Sequence, residues 1–200
     1  MSAILKAPYL SPEEYLARER ESEIRHEYFR GEMFAMSGGT RPHSLIVGNL
    51  RAELRAALRR RCEVHGGEMR IKVSSTGLYT YPDASVICGE PRLEDGRQDT
   101  LLNPIVVMEV LSPSTEAYDR GDKFGHYRKI ETLREYVLVS QDRALVERFV
   151  RQGDAWLLTE FDGLEASLRL DSIGCEIPLQ SIYELVEFPL RATRQISAPE

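Results

Sequence analysis

The stretch that decides the fold reads "YPDASVIC" at residues 81–88 and, after a polar interval, "PIVVMEVLSPST" at residues 104–115. Each is a short apolar run holding one carboxylate, Asp83 in the first and Glu109 in the second. Runs this short and this rich in Val and Ile read as strands. In extended backbone Asp83, Ser85 and Ile87 share one face, and Val107, Glu109 and Leu111 share one face of the next strand. Strands apolar on both faces are expected to be covered on both sides. An ionised carboxylate buried there must be paired, protonated or bound to a cation, because leaving it alone costs several kcal/mol at least. Either each acid meets an arginine or a capping amide at a strand end, or the two converge at one end of a sheet. Convergence would form a hard-oxygen site for Mg²⁺ or Mn²⁺, with the Val110 carbonyl as a third ligand.

Outward from these strands the chain punctuates itself. "SPEEYLARERE" predicts a helix with Ser11 as cap, Pro12 at the first helical position and Glu14 closing a capping box. "RHEYFRGEMFAMSGG" predicts a hairpin with Gly31 in the turn and Gly38-Gly39 ending its second strand. A long amphipathic helix is expected from about His43 to Arg61, with Leu45, Ile46, Leu50, Leu54 and Leu58 at helical spacing. "EMRIKVS", "DASVIC" and "IVVMEVL" then read as three strands, the last two separated by the polar loop "GEPRLEDGRQDTLLN". "AYDRGDKFGHYRKI" predicts a second helix opened by Asp119 as N-cap. "EYVLVSQ" follows as a strand, and "ALVERFVRQGDAWLLTEF" as a hairpin turning near Gly153. "PLQSIYELV" closes the fold as a short helix. The order is helix, three strands, helix, strand, with additions at both ends: a mixed α/β (α+β) single domain over residues 1–190, with a polar tail at 191–200.

Composition narrows the class of protein. Two hundred residues suffice for one domain with a substantial core. The first residues lack the apolar segment of a signal peptide, and no stretch approaches the roughly 18 apolar residues of a membrane span. Cys62, Cys88 and Cys175 are odd in number, widely spaced and in no metal-ligand pattern, which points to unpaired thiols in a reducing cytoplasm. A net charge of −6 argues against a nucleic-acid coat protein, but not against an enzyme that meets a phosphate backbone along one local groove.

"YPDASVIC" followed by "VVMEVLSPSTEAYDRGDKFGHYRKI" resembles the Uma-two family of restriction-endonuclease-like proteins, within the PD-(D/E)XK nuclease superfamily. "HEYFRGEMFAMSG", "HSLIVGNL" and "LREYVLVSQD" resemble it too, so the likeness spans most of the chain. The resemblance implies an αβββαβ nuclease core with a mixed sheet, in which Asp83 and Glu109 are the metal-binding acids. One position departs from the superfamily pattern: the motif lysine two places after the glutamate is Leu111, which can neither orient nor deprotonate water. Lys123, in the helix after "SPST", is the first candidate to replace it, as a lysine moved from strand to helix. Alternatively, it is a solvated helix lysine beside Asp119 and Asp122. Lys72, on a strand face with Arg70, is the second candidate.

Other residues carry two readings each. Glu27 matches a glutamate of the family phrase and stands as a further acid near the metal, or as a partner for Arg25 or Arg30 on an exposed hairpin. His43 opens the long helix as a cap or packed residue, or as a catalyst. His65 and His126 read as structural. Ser112 and Ser114 would donate hydrogen bonds to a phosphate or cap a turn; no acid–histidine pair makes them nucleophiles. Gly38-Gly39 lacks the context of a phosphate-binding loop. Arg51, Arg55 and Arg59 recur every four residues, as a solvated helix face or as a track for a phosphate backbone.

The resulting expectation is a Mg²⁺-dependent endonuclease acting on DNA, with Mn²⁺ as a substitute ion, working in the cytoplasm as a homodimer. Asp83, Glu109, Lys123 and Glu27 would be its catalytic set. Asp83, Glu109 and Val110 would hold the metal, and Arg51, Arg55 and Arg59 the nucleic acid. The alternative is a nuclease-fold binding or interaction module that has lost its catalytic lysine.

Overall fold

The computed structural model describes residues 9–189, so the expected polar tail lies outside the described residues. In chain order the elements are α1 (Pro12–Glu21), β1 (His26–Phe29), β2 (Glu32–Ala35), α2 (Arg41–Leu58), β3 (Cys62–Gly66), β4 (Arg70–Val73), β5 (Leu78–Thr80), β6 (Ala84–Cys88), β7 (Thr100–Leu101) and β8 (Val106–Val110). They continue with α3 (Glu116–Tyr118), a π-helical turn (Asp119–Lys123), α4 (Phe124–Tyr127), β9 (Glu135–Val139), β10 (Leu145–Gln152), β11 (Ala155–Asp162), β12 (Ser167–Leu170), β13 (Cys175–Pro178) and α5 (Leu179–Ile182). The predicted α+β class holds.

The central sheet has the order β11-β10-β9-β8-β6-β3 and is mixed: β8 and β9 run parallel, the other neighbours antiparallel. Every residue of β8 is buried, as its unbroken apolar pattern requires. One face carries Val106, Met108 and Val110, packed on α2 and the C-terminal segment from β12 to α5. The other carries Val107 and Leu111, packed on Tyr127, Phe124 and a second sheet of order β2-β1-β5-β4-β7. Ile46, Leu50, Leu54 and Leu58 form the fully buried stripe of α2. Their three- and four-residue spacing puts them on one face, and each contributes on the order of 1.5–3 kcal/mol by leaving water.

Three elements differ from their sequence expectation. "EMRIKVS" forms β4 of the second sheet, and the antiparallel strand that completes the central core is Cys62–Gly66 instead. Only Val64 and Gly66 of β3 are buried, so its apolar signal is too thin to mark a core strand. Asp119 does not cap the second helix. The helix starts one turn earlier after Thr115, and Asp119 lies inside it, at the start of the π-helical turn. Cys62 and Cys88, 26 residues apart, form a disulfide. The β3–β6 register sets them directly opposite with Cα atoms 4.2 Å apart, a proximity that sequence spacing cannot reveal. Only Cys175 is a free thiol, so the unpaired-thiol argument fails for two of the three cysteines. No helix among the described residues is long and apolar enough to cross a membrane.

The remaining punctuation reads as expected. Ser11 and Glu14 close the capping box of α1. Arg30 and Gly31, both at positive φ, make the tight β1–β2 turn, although β2 ends at Ala35, ahead of Gly38-Gly39.

Candidate active site

The β6–β8 pairing sets Ala84 opposite Met108, which brings Asp83, just before β6, alongside Glu109 near the end of β8. The Val110 amide donates to Asp83 Oδ2 at 2.7 Å, and the Asp83 amide faces Glu109 Oε2 at 3.4 Å. Each carboxylate is thus aimed by the other strand's backbone. Glu109 is 3% exposed. Its Oε1 receives the Lys123 ammonium at 3.0 Å and the Tyr127 hydroxyl at 2.9 Å.

Lys123 reaches the site because the helix after "SPST" folds back across the Glu109 face of the sheet. The π-helical turn spans Asp119–Lys123, the segment whose two charged ends face the acids, a placement common for such turns. The Tyr136 hydroxyl ties that turn to β9 by donating to the Asp119 carbonyl at 2.9 Å. Far from being a solvated helix residue, Lys123 is 5% exposed. Besides Glu109 it meets Glu27 at 3.1 Å and Asp119 at 3.4 Å. Glu27 in turn accepts from Thr80 Oγ1 at 2.5 Å and pairs with neither Arg25 nor Arg30. Lys72 stands elsewhere, against Glu94 and Tyr79 on the second sheet.

His43 enters the site from the first turn of α2, its Nε2 3.3 Å from Asp83 Oδ2. The cap of that helix is Thr40, whose hydroxyl accepts from the His43 amide and donates to the buried Gln141 side chain. His65 meets Glu63, and His126 meets Thr76 and the edge of Phe29, both away from the acids. Ser112, Ser114 and Thr115 bond one another through their hydroxyls at the cavity wall. The cavity holds about 350 Å³ and is lined by all four acids, Lys123 and His43, and among the described residues by no arginine. Arg51 is held by Glu68 at 2.9 Å, outside it.

Electrostatics follow from one ammonium shared by three carboxylates. Burial alone would lower the Lys123 pKa, but Glu109, Glu27 and Asp119 more than reverse that, so the amine stays charged. Burial also pushes the Glu109 carboxyl up to about 8, against the pull of Lys123, with Asp119 and Asp83 adding to the rise. The Asp119 pKa is raised by burial in the same way. A charged lysine beside a glutamate that resists ionising is one coupled system holding an excess of acid. The hydrogen bond to Asp83 outweighs burial and raises the pKa of His43.

Asp119 and His43 were the residues hardest to place from sequence. The i, i+4 spacing of Asp119 and Lys123 is the one local sign that they share a helix face.

A family profile, Uma2, described as "Putative restriction endonuclease", matches residues 12–180. The chain belongs to the Uma2 family. Two uncharacterized proteins of Synechocystis are close in sequence. One, slr1290, is 39% identical over 183 residues, covering 90% of this chain and 95% of its own length. The other, sll1609, is 35% identical over 170 residues, covering 84% and 96%. A crystal structure from Anabaena variabilis, described as a putative nuclease belonging to DUF820, superposes with a TM-score of 0.72 at 18% identity. The match covers 88% of this chain and 98% of that one, and it carries the fold. This Uma2 protein therefore shares the fold of that structure around its acid cluster.

Proposed function

We propose that this Uma2 protein is a divalent-metal-dependent endonuclease that hydrolyses phosphodiester bonds in DNA. The observation that carries the reading is Lys123 Nζ at 3.0 Å from Glu109: a helix lysine standing where the strand position holds Leu111. Leu111 is 4% exposed and packs in the core, so the cation has moved while the acids have stayed. This placement favours an enzyme over a binding module that has lost its lysine.

The donor set suits a hard cation. Asp83, Glu109 and the Val110 carbonyl would hold it through oxygen alone, as Mg²⁺ prefers, with Mn²⁺ as a substitute. Among the described residues no three His, Cys, Asp or Glu side chains form a preformed metal cluster. When bound, such an ion supplies Lewis-acid polarisation of a phosphoryl oxygen and makes water a stronger nucleophile at neutral pH.

The protein's own groups do the rest. The Val110 amide fixes Asp83, and Tyr127 with Lys123 fixes Oε1 of Glu109, leaving Oε2 on the Asp83 side. Lys123 presents a permanent positive charge where negative charge builds on the phosphate as the bond to the attacking oxygen forms. Glu27 and Asp119 hold that ammonium in place by accepting from its other protons. His43, its basicity raised by Asp83, is placed to hydrogen-bond a phosphate oxygen at the mouth. Arg55, farther along α2, and Arg59, at the C-cap of that helix, would contact the backbone of the nucleic acid outside the site.

Nicking of supercoiled plasmid in Mg²⁺ or Mn²⁺ tests the reading. Cleavage is expected with either ion and none in EDTA, and Asp83→Asn and Glu109→Gln should each abolish it with the circular dichroism spectrum unchanged. Full activity in either variant would remove the assignment.

A further inference from the structure

The mouth of the cavity is aromatic where a duplex-binding groove would be basic. Among the described residues with large apolar side chains in solvent, Phe34 (49% exposed), Met36 (36%) and Tyr118 (37%) all line this cavity. Their positions are tied to the reacting groups. The β1–β2 register pairs Phe34 directly with Glu27, which puts both side chains on one face of the hairpin with Cβ atoms about 4.5–5.5 Å apart. Tyr118 lies on the helix side, its ring centroid 5.8 Å from Lys123 Nζ. Two aromatic rings therefore flank the Glu27–Lys123 pair, and β2, which carries one of them, is an edge strand of its sheet.

The two cations that line the cavity are already engaged. Lys123 faces three carboxylates and His43 faces Asp83. Among the described residues no arginine lines the cavity. The arginine stripe of α2 begins at Arg51, eight residues and so about 12 Å along the helix from His43. A site that grips duplex DNA does so mainly through phosphate contacts from Arg and Lys. One that grips unpaired strands offers aromatic faces for bases to stack on. Exposed Phe on an edge strand is otherwise a liability that charged residues usually blunt.

Resting on the nuclease reading, we infer that this site takes an unpaired nucleotide. Phe34 stacks on its base, Tyr118 lines the opposite wall, and the adjoining phosphate lies at Lys123. The substrate class is then single-stranded or locally unpaired nucleic acid rather than intact duplex.

Fluorescence anisotropy with a labelled single-stranded oligodeoxynucleotide and the matching blunt duplex tests this, in Ca²⁺ so that a hard cation fills the site. The single strand should bind at least tenfold more tightly. Phe34→Ala should weaken single-strand binding by roughly 5- to 150-fold, the loss of stacking on one ring, and leave duplex binding unchanged. Phe34→Trp should restore it, which a merely structural role for Phe34 would not predict. Phe34 is half exposed, so its removal should leave the melting temperature near wild type. Equal binding of both substrates, or an unchanged Phe34→Ala, would overturn the inference while plasmid nicking still upheld the nuclease reading. If neither cleavage nor binding occurs with any of these substrates, both readings fall.

Discussion

Two clusters of charge flank the second sheet, and the pKa values of their acids move in opposite directions. In the first, Arg20 bonds Asp99 and Asp95, each at 2.7 Å, and Arg70 meets Asp99 at 3.0 Å. Arg70 also donates to Tyr81 at 2.8 Å, and Tyr81 donates to Glu19 at 2.9 Å, so α1, β4 and the 89–103 loop are tied together. The hydrogen bonds from Arg20 lower the pKa of Asp99 and Asp95. In the second, Glu27, Glu109 and Asp119 share Lys123, and Glu109 and Asp119 are raised. Enough cations make acids comfortable in a fold; too few leave them strained. The direction of the shift separates a cluster that ties elements together from one waiting for a positive partner.

The largest effect should come from Lys123→Met. It would leave three carboxylates buried without their cation, lowering stability by about 3–5 kcal/mol in denaturant unfolding and cleavage by on the order of 10²-fold or more. A stable, fully active variant would erase the distinction between the clusters. Arg70→Met breaks the first cluster instead. With Arg70 2% exposed, a stability loss of similar size is expected, but the cleavage rate of the folded protein should stay at wild type. A rate loss would mean that the first cluster also serves the site.

The two clusters should govern opposite wings of the pH–stability curve. A carboxyl raised in the fold keeps a proton that the unfolded chain has lost. Glu109 therefore costs stability progressively as pH rises from its ordinary 4.5 through about 8. In EDTA, Glu109→Gln should accordingly melt above wild type by a few degrees near pH 8.5, and the gap should close towards pH 5. Excess Mn²⁺ should invert the order, since the ion stabilises a folded wild type that retains its ligand. Asp99 is lowered, so its stabilisation is present above the ordinary carboxylate range and is lost as pH falls below it. Asp99→Asn should flatten the acid wing alone. Equal melting shifts of Glu109→Gln at both pH values, with or without metal, would make Glu109 a structural ion-pair partner.

The smallest effect belongs to Lys72→Met. Its ion-pair partner is Glu94 and the pair is partly open to solvent, so about 0–1 kcal/mol is expected, with no change in cleavage. A rate loss exceeding that of Lys123→Met would move the active-site cation to β4.

Local chemistry made much of this protein legible in its sequence. Ser11, Pro12 and Glu14 announced α1; the apolar spacing of α2, the β1–β2 turn and the β10–β11 hairpin are all short-range signals. The two acids were conspicuous because a lone carboxylate in an apolar strand demands a partner. Register and long-range pairing were not legible, because they depend on which strands meet. β3 carries too thin an apolar signal to mark a core strand, β4 reads like a core strand yet joins the second sheet, and Cys62 meets Cys88 only through the β3–β6 register. Asp119 looked like a cap since a cap and a buried partner differ only in where the helix begins, which packing against Tyr136 and Lys123 decides. Sequence alone determined that Asp83 and Glu109, set in apolar strands, needed partners. Only the tertiary structure decided that Lys123 and His43 stand beside them, because a helix face acquires its partners from the sheet it folds onto.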